Sequence, residues 1–69
     1  MEKIKINTDF IKLNQLLKWM NVVESGGVAN HFITEGLVKV NGETELRKGR
    51  KIHAGDMVEV KQVGSFLIE

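Results

Sequence analysis

The run from Ser25 to Gly42, Ser-Gly-Gly-Val-Ala-Asn-His-Phe-Ile-Thr-Glu-Gly-Leu-Val-Lys-Val-Asn-Gly, leaves the backbone few choices. Ser25 is placed to accept a hydrogen bond from a first-turn amide, as a helix N-cap does. Ala29, Phe32 and Ile33 recur at helical spacing and define one apolar face. Gly36 stands where a helix ends on a left-handed residue. Val38 and Val40 then alternate about Lys39 as a half-buried strand, and Asn41-Gly42 is a two-residue hairpin signal that demands positive φ at both positions. This unit predicts its own surroundings. It needs a second helix over its apolar face and further strands along its edge, with Val38 and Val40 turned toward the helices.

The rest of the chain supplies those parts. Lys3-Ile4-Lys5-Ile6 alternates as a first strand with Ile4 and Ile6 inward. Asn7, Thr8 and Asp9 form a turn whose side chains suit helix capping. Phe10, Leu13, Leu16, Leu17 and Met20 follow the i, i+3, i+4, i+7 rule and predict an amphipathic helix from Phe10 to Met20. Asn21 tolerates the left-handed conformation that closes such a helix, and Val22-Val23 is a packed connector. Beyond the hairpin turn, Glu43 to Leu46 is a return strand, and Arg47-Lys48-Gly49-Arg50-Lys51 interrupts the pattern with four cations about one glycine. Ile52 returns to the core. Ala54-Gly55-Asp56 is a turn, Met57 to Lys61 a strand with Val58 and Val60 inward, Gly64-Ser65 a last turn, and Phe66-Leu67-Ile68 a final strand suited to pair with the first. No repeat or linker interrupts residues 1–69, which form one domain. The fold class is α+β: two short helices packed on one face of a small, mostly antiparallel sheet.

Composition removes several functional classes. A chain of 69 residues lies near the lower limit for a self-supporting core, and 42% hydrophobic residues mark it as globular. With no cysteine there is neither a disulfide nor a thiolate metal site, which fits a reducing compartment and a cytoplasmic location. No apolar run reaches membrane-spanning length, and the N-terminus is not a signal peptide. His31 and His53 fall on different elements, and no paired carboxylates, nucleophile–base set, Walker-type phosphate loop or zinc-ligand spacing stands out. A chain this small has little room for the closed pocket that catalysis favours. It reads as a binding protein, not an enzyme, with no cofactor.

Three stretches are candidates for the binding. Arg47, Lys48, Arg50 and Lys51 form either a solvated loop that keeps a sheet edge soluble or a phosphate-contacting finger, bent at Gly49. Gly26 and Gly27 sit in the first turn of the second helix, where each costs about 1 kcal/mol relative to alanine. They either relieve crowding between the helices or, with the Ser25 cap, expose backbone N–H groups to an anion. Lys12, Gln15 and Trp19 share one side of the first helix, off the leucine stripe, with Lys18 on a flank. Trp19 is either a core-edge packer or a platform for base stacking.

Lys12-Leu13-Asn14 with Leu17, then Ser25, Ala29, Ile33 and Gly36, then Val38, Val40-Asn41-Gly42, Ile52 and Gly55-Asp56 with Val58, form a spaced pattern. In it the chain resembles the small RNA-binding domain named after the fourth protein of the small ribosomal subunit, also called the alpha-L motif. The pattern covers a motif core of about residues 10–60. The Leu-Asn-Gln-Leu-Leu-Lys run, Glu24-Ser25-Gly26-Gly27, Val40-Asn41-Gly42-Glu43 and the basic segment most resemble the stand-alone bacterial proteins of the YaaA/YbcJ type. The resemblance implies a structured RNA partner, ribosomal RNA or tRNA, held on the helix-pair face and the adjoining basic loop, with the ribosome as its setting. Lys12 matches the basic residue that opens the first helix of the family, and the basic loop its second positive edge. Most members carry an arginine directly after the serine, where this chain has Gly26. Positions that are often basic after Ala29 are here Asn30 and His31.

The combined expectation is a monomeric RNA-binding module. Lys12, Lys18, Arg47, Lys48, Arg50 and Lys51 contact phosphates, Gly26 and Gly27 offer N–H groups, and Asn30 and His31 reach sugar hydroxyls. Glu43 and Glu45 offset part of the positive field. The basic residues are expected to be exposed, so their removal should leave folding nearly unchanged. The alternative is a protein-interaction module that keeps the fold and docks a partner through Trp19 and its strand edges.

Overall fold

A computed structural model describes all 69 residues. In chain order the elements are β1 (Glu2–Ile4), β2 (Ile11–Lys12), α1 (Leu13–Trp19), α2 (Gly26–Thr34), β3 (Val38–Val40), β4 (Glu43–Thr44), β5 (Lys51–Ile52), β6 (Met57–Val60) and β7 (Gly64–Ile68). The strands form a five-stranded sheet of order β1-β7-β6-β3-β4 and a separate two-stranded ribbon, β2-β5. Only the β1–β7 pair is parallel. The architecture is the anticipated one: two helices on a mostly antiparallel sheet.

Strand alternation decides which side chains meet the helices. Val38 pairs with Val60, and Val40 with Val58, which in turn opposes Phe66. These residues and Ile68 are buried on one face, and Lys39, Glu59 and Ser65 point the other way. Onto the apolar face α1 delivers Leu13, Leu16 and Leu17, and α2 delivers Ala29 and Ile33, all fully buried. Ile4, Ile6, Ile11, Met20, Val22 and Phe32 pack around that core. At roughly 2 kcal/mol for each fully buried aliphatic side chain, this shared interface is the main stabilising term of so small a domain.

The hairpin turn is as the sequence demands, with φ of 53° at Asn41 and 86° at Gly42. Asn41 also ties the turn to a neighbouring one. Its Nδ2 donates to Asp56 Oδ1 (3.0 Å), and its Oδ1 accepts from the Met57 N–H (2.9 Å). Gly36, at φ 76°, closes α2, and Asn21, at φ 60°, follows α1.

Several boundaries differ from the sequence-based expectations; the first strand spans Glu2–Ile4 and ends before Lys5 and Ile6. The first helix begins at Leu13, not Phe10, because Ile11 and Lys12 are extended and pair with Ile52 and Lys51. Its N-cap is Lys12, which makes no side-chain cap, so Asn7, Thr8 and Asp9 do not cap it. The return strand stops at Thr44 instead of Leu46: Glu45 turns inward and Leu46 is left exposed. The last turn lies at Lys61–Val63, with Gln62 at φ 66°, and Gly64-Ser65 already belongs to β7. Pairing across the sheet outweighed the local turn preference of glycine and serine.

Asn41 supplies both a left-handed backbone and two hydrogen bonds. Asn41→Ala should therefore cost about 2–3 kcal/mol, lowering the melting temperature by at least roughly 8 °C in a domain of this size. Asn41→Gly, which tolerates the backbone angle but lacks the amide, should lose about 1 kcal/mol less than the alanine variant. Thermal melts of the two variants check both the direction and the order.

Candidate nucleic-acid interface

The basic loop between Glu45 and Lys51 is mounted on the N-terminal end of α1. The first helical amides have no partners within the helix, and here the loop provides them. The Leu13 N–H donates to the Arg50 carbonyl (2.8 Å) and the Asn14 N–H to the Lys48 carbonyl (3.0 Å). Immediately upstream, β2 pairs with β5, so Lys12 lies directly opposite Lys51. The loop carbonyls thus face the helix.

Glu45 holds the loop from beneath. It is 6% exposed and is the one charged residue among the buried set. Its Oε2 accepts from the Arg47 backbone N–H and from Arg47 Nε (both 3.0 Å), and its Oε1 accepts from Arg47 Nη2 (3.1 Å) and Arg50 Nη1 (2.8 Å). The Arg47 side chain stays largely exposed above this contact, whereas that of Arg50 is only 30% exposed. The hydrogen bonds from Arg47 and Arg50 hold the Glu45 carboxyl at about 2, against an ordinary value of 4.5, and outweigh the opposing effect of burial. The same contact raises Arg47 above its usual value.

The other candidate residues fall into two groups. Lys12, Lys18, Lys48 and Lys51 are exposed, and none pairs with a carboxylate: the ion pairs of the chain are Lys3–Glu69, Arg47–Glu45, Arg50–Glu45 and His53–Asp56. On α2, Ser25 Oγ accepts from the Val28 N–H (3.3 Å), the anticipated N-cap. A Cβ on Gly26 would meet nothing within 4 Å, and one on Gly27 only Ser25 Oγ at 3.9 Å, so helix crowding does not explain the two glycines. His31 is exposed. Asn30 is half-buried, and its Oδ1 accepts from Asn14 Nδ2 (3.1 Å), linking α2 to the end of α1 that carries the loop. No hydrogen bond or ion pair joins the Ser25–Gly27 turn to the basic loop itself.

A family model described as the S4 domain matches residues 4–69. The chain belongs to the S4-domain family. The probable ribosome maturation protein RlbA of Bacillus subtilis is 46% identical over 65 residues, which cover 94% of this chain and 92% of that protein. The solution structure of YbcJ from E. coli, described as an alpha-L motif involved in RNA-binding, superimposes with a TM-score of 0.69 at 35% identity. The match covers 97% of this chain and 87% of YbcJ.

In this S4 domain the basic loop is not an interchangeable set of four cations. Both arginines are engaged by one buried carboxylate, and both lysines are free. Arginine suits the inward role because its planar fork reaches two carboxylate oxygens at once. The expectation that charge removal leaves folding unchanged therefore fails for Arg50, whose loss would strand a buried carboxylate. Glu45 is the residue that organises this loop, and the sequence alone shows little of that. Its one signal was a glutamate with arginines at +2 and +5.

A carboxyl whose folded value is lowered adds stability that is fully present above its ordinary value and is lost as pH falls through the folded one. Here that window runs from about 4.5 down to about 2. Urea unfolding across this window should show a steep loss of stability in the native chain and a flatter one in Glu45→Gln. At neutral pH the same variant should be less stable by roughly 2 kcal/mol, the scale of hydrogen bonds to a charged group.

Proposed function

We propose that this S4 domain is a non-catalytic module that binds structured RNA, with ribosomal RNA as the target and the helix pair with its basic loop as the contact face. The observation that carries the reading is the set of unpaired lysines, Lys12, Lys48 and Lys51, gathered on a loop and ribbon whose backbone is already hydrogen-bonded in place. Phosphates bind well to cations that are held but not neutralised. The names of its relatives point the same way, RlbA to ribosome maturation and YbcJ to RNA. Lys18 extends the positive surface along α1. Arg47 keeps Nη1 free of any protein partner, and Arg50 sets the loop's shape. Gly26, Gly27 and the Ser25 cap leave the start of α2 open to close approach, and His31 and the Asn30 amide nitrogen offer donors to sugar or phosphate.

Removing one lysine–phosphate contact should reduce the slope of log affinity against log salt by roughly 0.7 to 0.9. Replacing Lys48 and Lys51 together with glutamine should thus lower the slope by roughly 1.4 to 1.8 and weaken binding to a ribosomal RNA fragment. The melting temperature should stay near that of the native chain, since neither lysine has an ionic partner. The measurement starts at low ionic strength with duplex DNA as control. A native salt slope near zero on every RNA would overturn the reading in favour of the protein-interaction module.

Gly27→Ala separates helix stability from binding. The position is helical and uncrowded, so alanine should stabilise the fold by up to about 1 kcal/mol. If phosphate approaches the backbone here, RNA affinity falls while the melting temperature rises. Unchanged affinity would remove Gly26 and Gly27 from the contact face and leave the lysine sites standing.

A further inference from the structure

The outward side of the β2–β5 ribbon carries a second arrangement that phosphate binding alone does not use. Ile11 and Ile52 are paired, with Ile52 buried and Ile11 packed against the core, so the neighbouring residues Phe10, Lys12, Lys51 and His53 face outward. The Phe10 and His53 rings lie 6.0 Å apart at an interplanar angle of 47°, and Lys51 Nζ stands 4.9 Å from the centre of the Phe10 ring. Lys12 and Lys51 are directly opposed, an arrangement of like charges that weakens a strand pair, and no carboxylate offsets either one. Beside this ribbon a groove of about 320 Å³ is lined by Ile6, Thr8, Phe10, Lys12, Gln15 and Trp19. Trp19 is 54% exposed and Phe10 38%, in a domain whose other large rings, Phe32 and Phe66, pack into or against the core. The Thr8 hydroxyl donates to the Phe10 carbonyl (2.9 Å) and fixes the backbone that presents the ring.

We infer that this groove binds an unpaired nucleotide of the RNA, its base stacked against Trp19 and Phe10 and its phosphate held between Lys12 and Lys51. The inference rests on the RNA-binding reading above and adds a single-stranded site to it. Three features select this occupant. Aromatic faces beside cations are what single-stranded nucleic acid requires, because every base offers a π-face and every linkage a charge. Neither the groove lining nor the ribbon's outward residues include a carboxylate. Lys51 belongs both to the basic loop and to the ribbon, so a strand leaving the loop's phosphate contacts continues directly over Phe10. A base within a duplex has no free face, so the site selects a flanking single strand or a bulge.

Trp19 is the one tryptophan and the chain has no tyrosine, so intrinsic emission reports on the surface around Trp19, which takes in this groove and the neighbouring Lys3–Lys5 side. The probes are an RNA hairpin with a single-stranded tail, the same hairpin with blunt ends, and the tailed hairpin with abasic residues in the tail. The tailed hairpin should quench Trp19 and bind more tightly than the other two. Trp19→Ala should lose about tenfold in affinity for the tailed hairpin, the usual scale for one stacked base, and nothing for the blunt one. Trp19→Phe should retain most of the affinity. Should the alanine variant lose its cooperative melt, the phenylalanine variant and the abasic tail still decide the matter. Equal affinity of the native chain for all three RNAs without quenching overturns the groove and leaves the lysine contacts intact. Failure of the native chain to bind any of them overturns both.

Discussion

A buried carboxylate under two arginines is the constraint on which the rest of the surface depends. Four cations next to the N-terminal end of a helix repel one another and the helix dipole alike. Glu45 offsets part of that field from inside the fold, where it accepts four hydrogen bonds of 2.8 to 3.1 Å from Arg47 and Arg50. The loop can then bring its Arg50 and Lys48 carbonyls to the first amides of α1, satisfying donors that no side chain caps. The carboxylate thereby holds the loop whose carbonyls cap the helix.

The alternation of arginine and lysine in Arg47-Lys48-Gly49-Arg50-Lys51 becomes intelligible on this footing. The arginines, with planar and directional guanidinium groups, are used within the protein; the lysines, compact and strongly hydrated, are left to the solvent and to a ligand. A count of positive charges overstates the field a partner meets at this loop and understates how ordered the loop is. Preorganised cations need surrender less side-chain and loop entropy on binding than cations on a floppy loop.

Membership of the S4-domain family places this surface on a fold that its relatives share over nearly their whole length. Within that fold the chain has individual features. Gly26 stands in open space at the start of α2, and Asn30 turns sideways to bond Asn14 between the helices. Its positive charge lies on the loop and the β2–β5 ribbon, where Lys12 and Lys51 face each other, and not at the start of α2.

How much of this was legible beforehand follows the range of the forces involved. The Ser25 cap, the Gly36 stop, the Asn41-Gly42 turn and the alternation of Val38, Val40, Val58 and Val60 are local chemistry, and each stands in the structure as the sequence implies. Backbone sterics and hydrophobic periodicity act within a few residues, so the residues themselves determined them. The start of α1, the inward turn of Glu45, the opposed lysines and the Phe10–Trp19 groove were decided only by tertiary structure. The start of α1 and the opposed lysines depend on residues about forty positions apart meeting across β2–β5. The groove depends on the extended Ile11–Lys12 segment that this pairing holds, and Glu45 on a loop that brings its arginines over it. Burial reverses the preference of a charged side chain for water only when its partners arrive with it. Arg47 and Arg50 stand at +2 and +5 from Glu45, but that spacing alone does not say that the carboxylate turns inward beneath them.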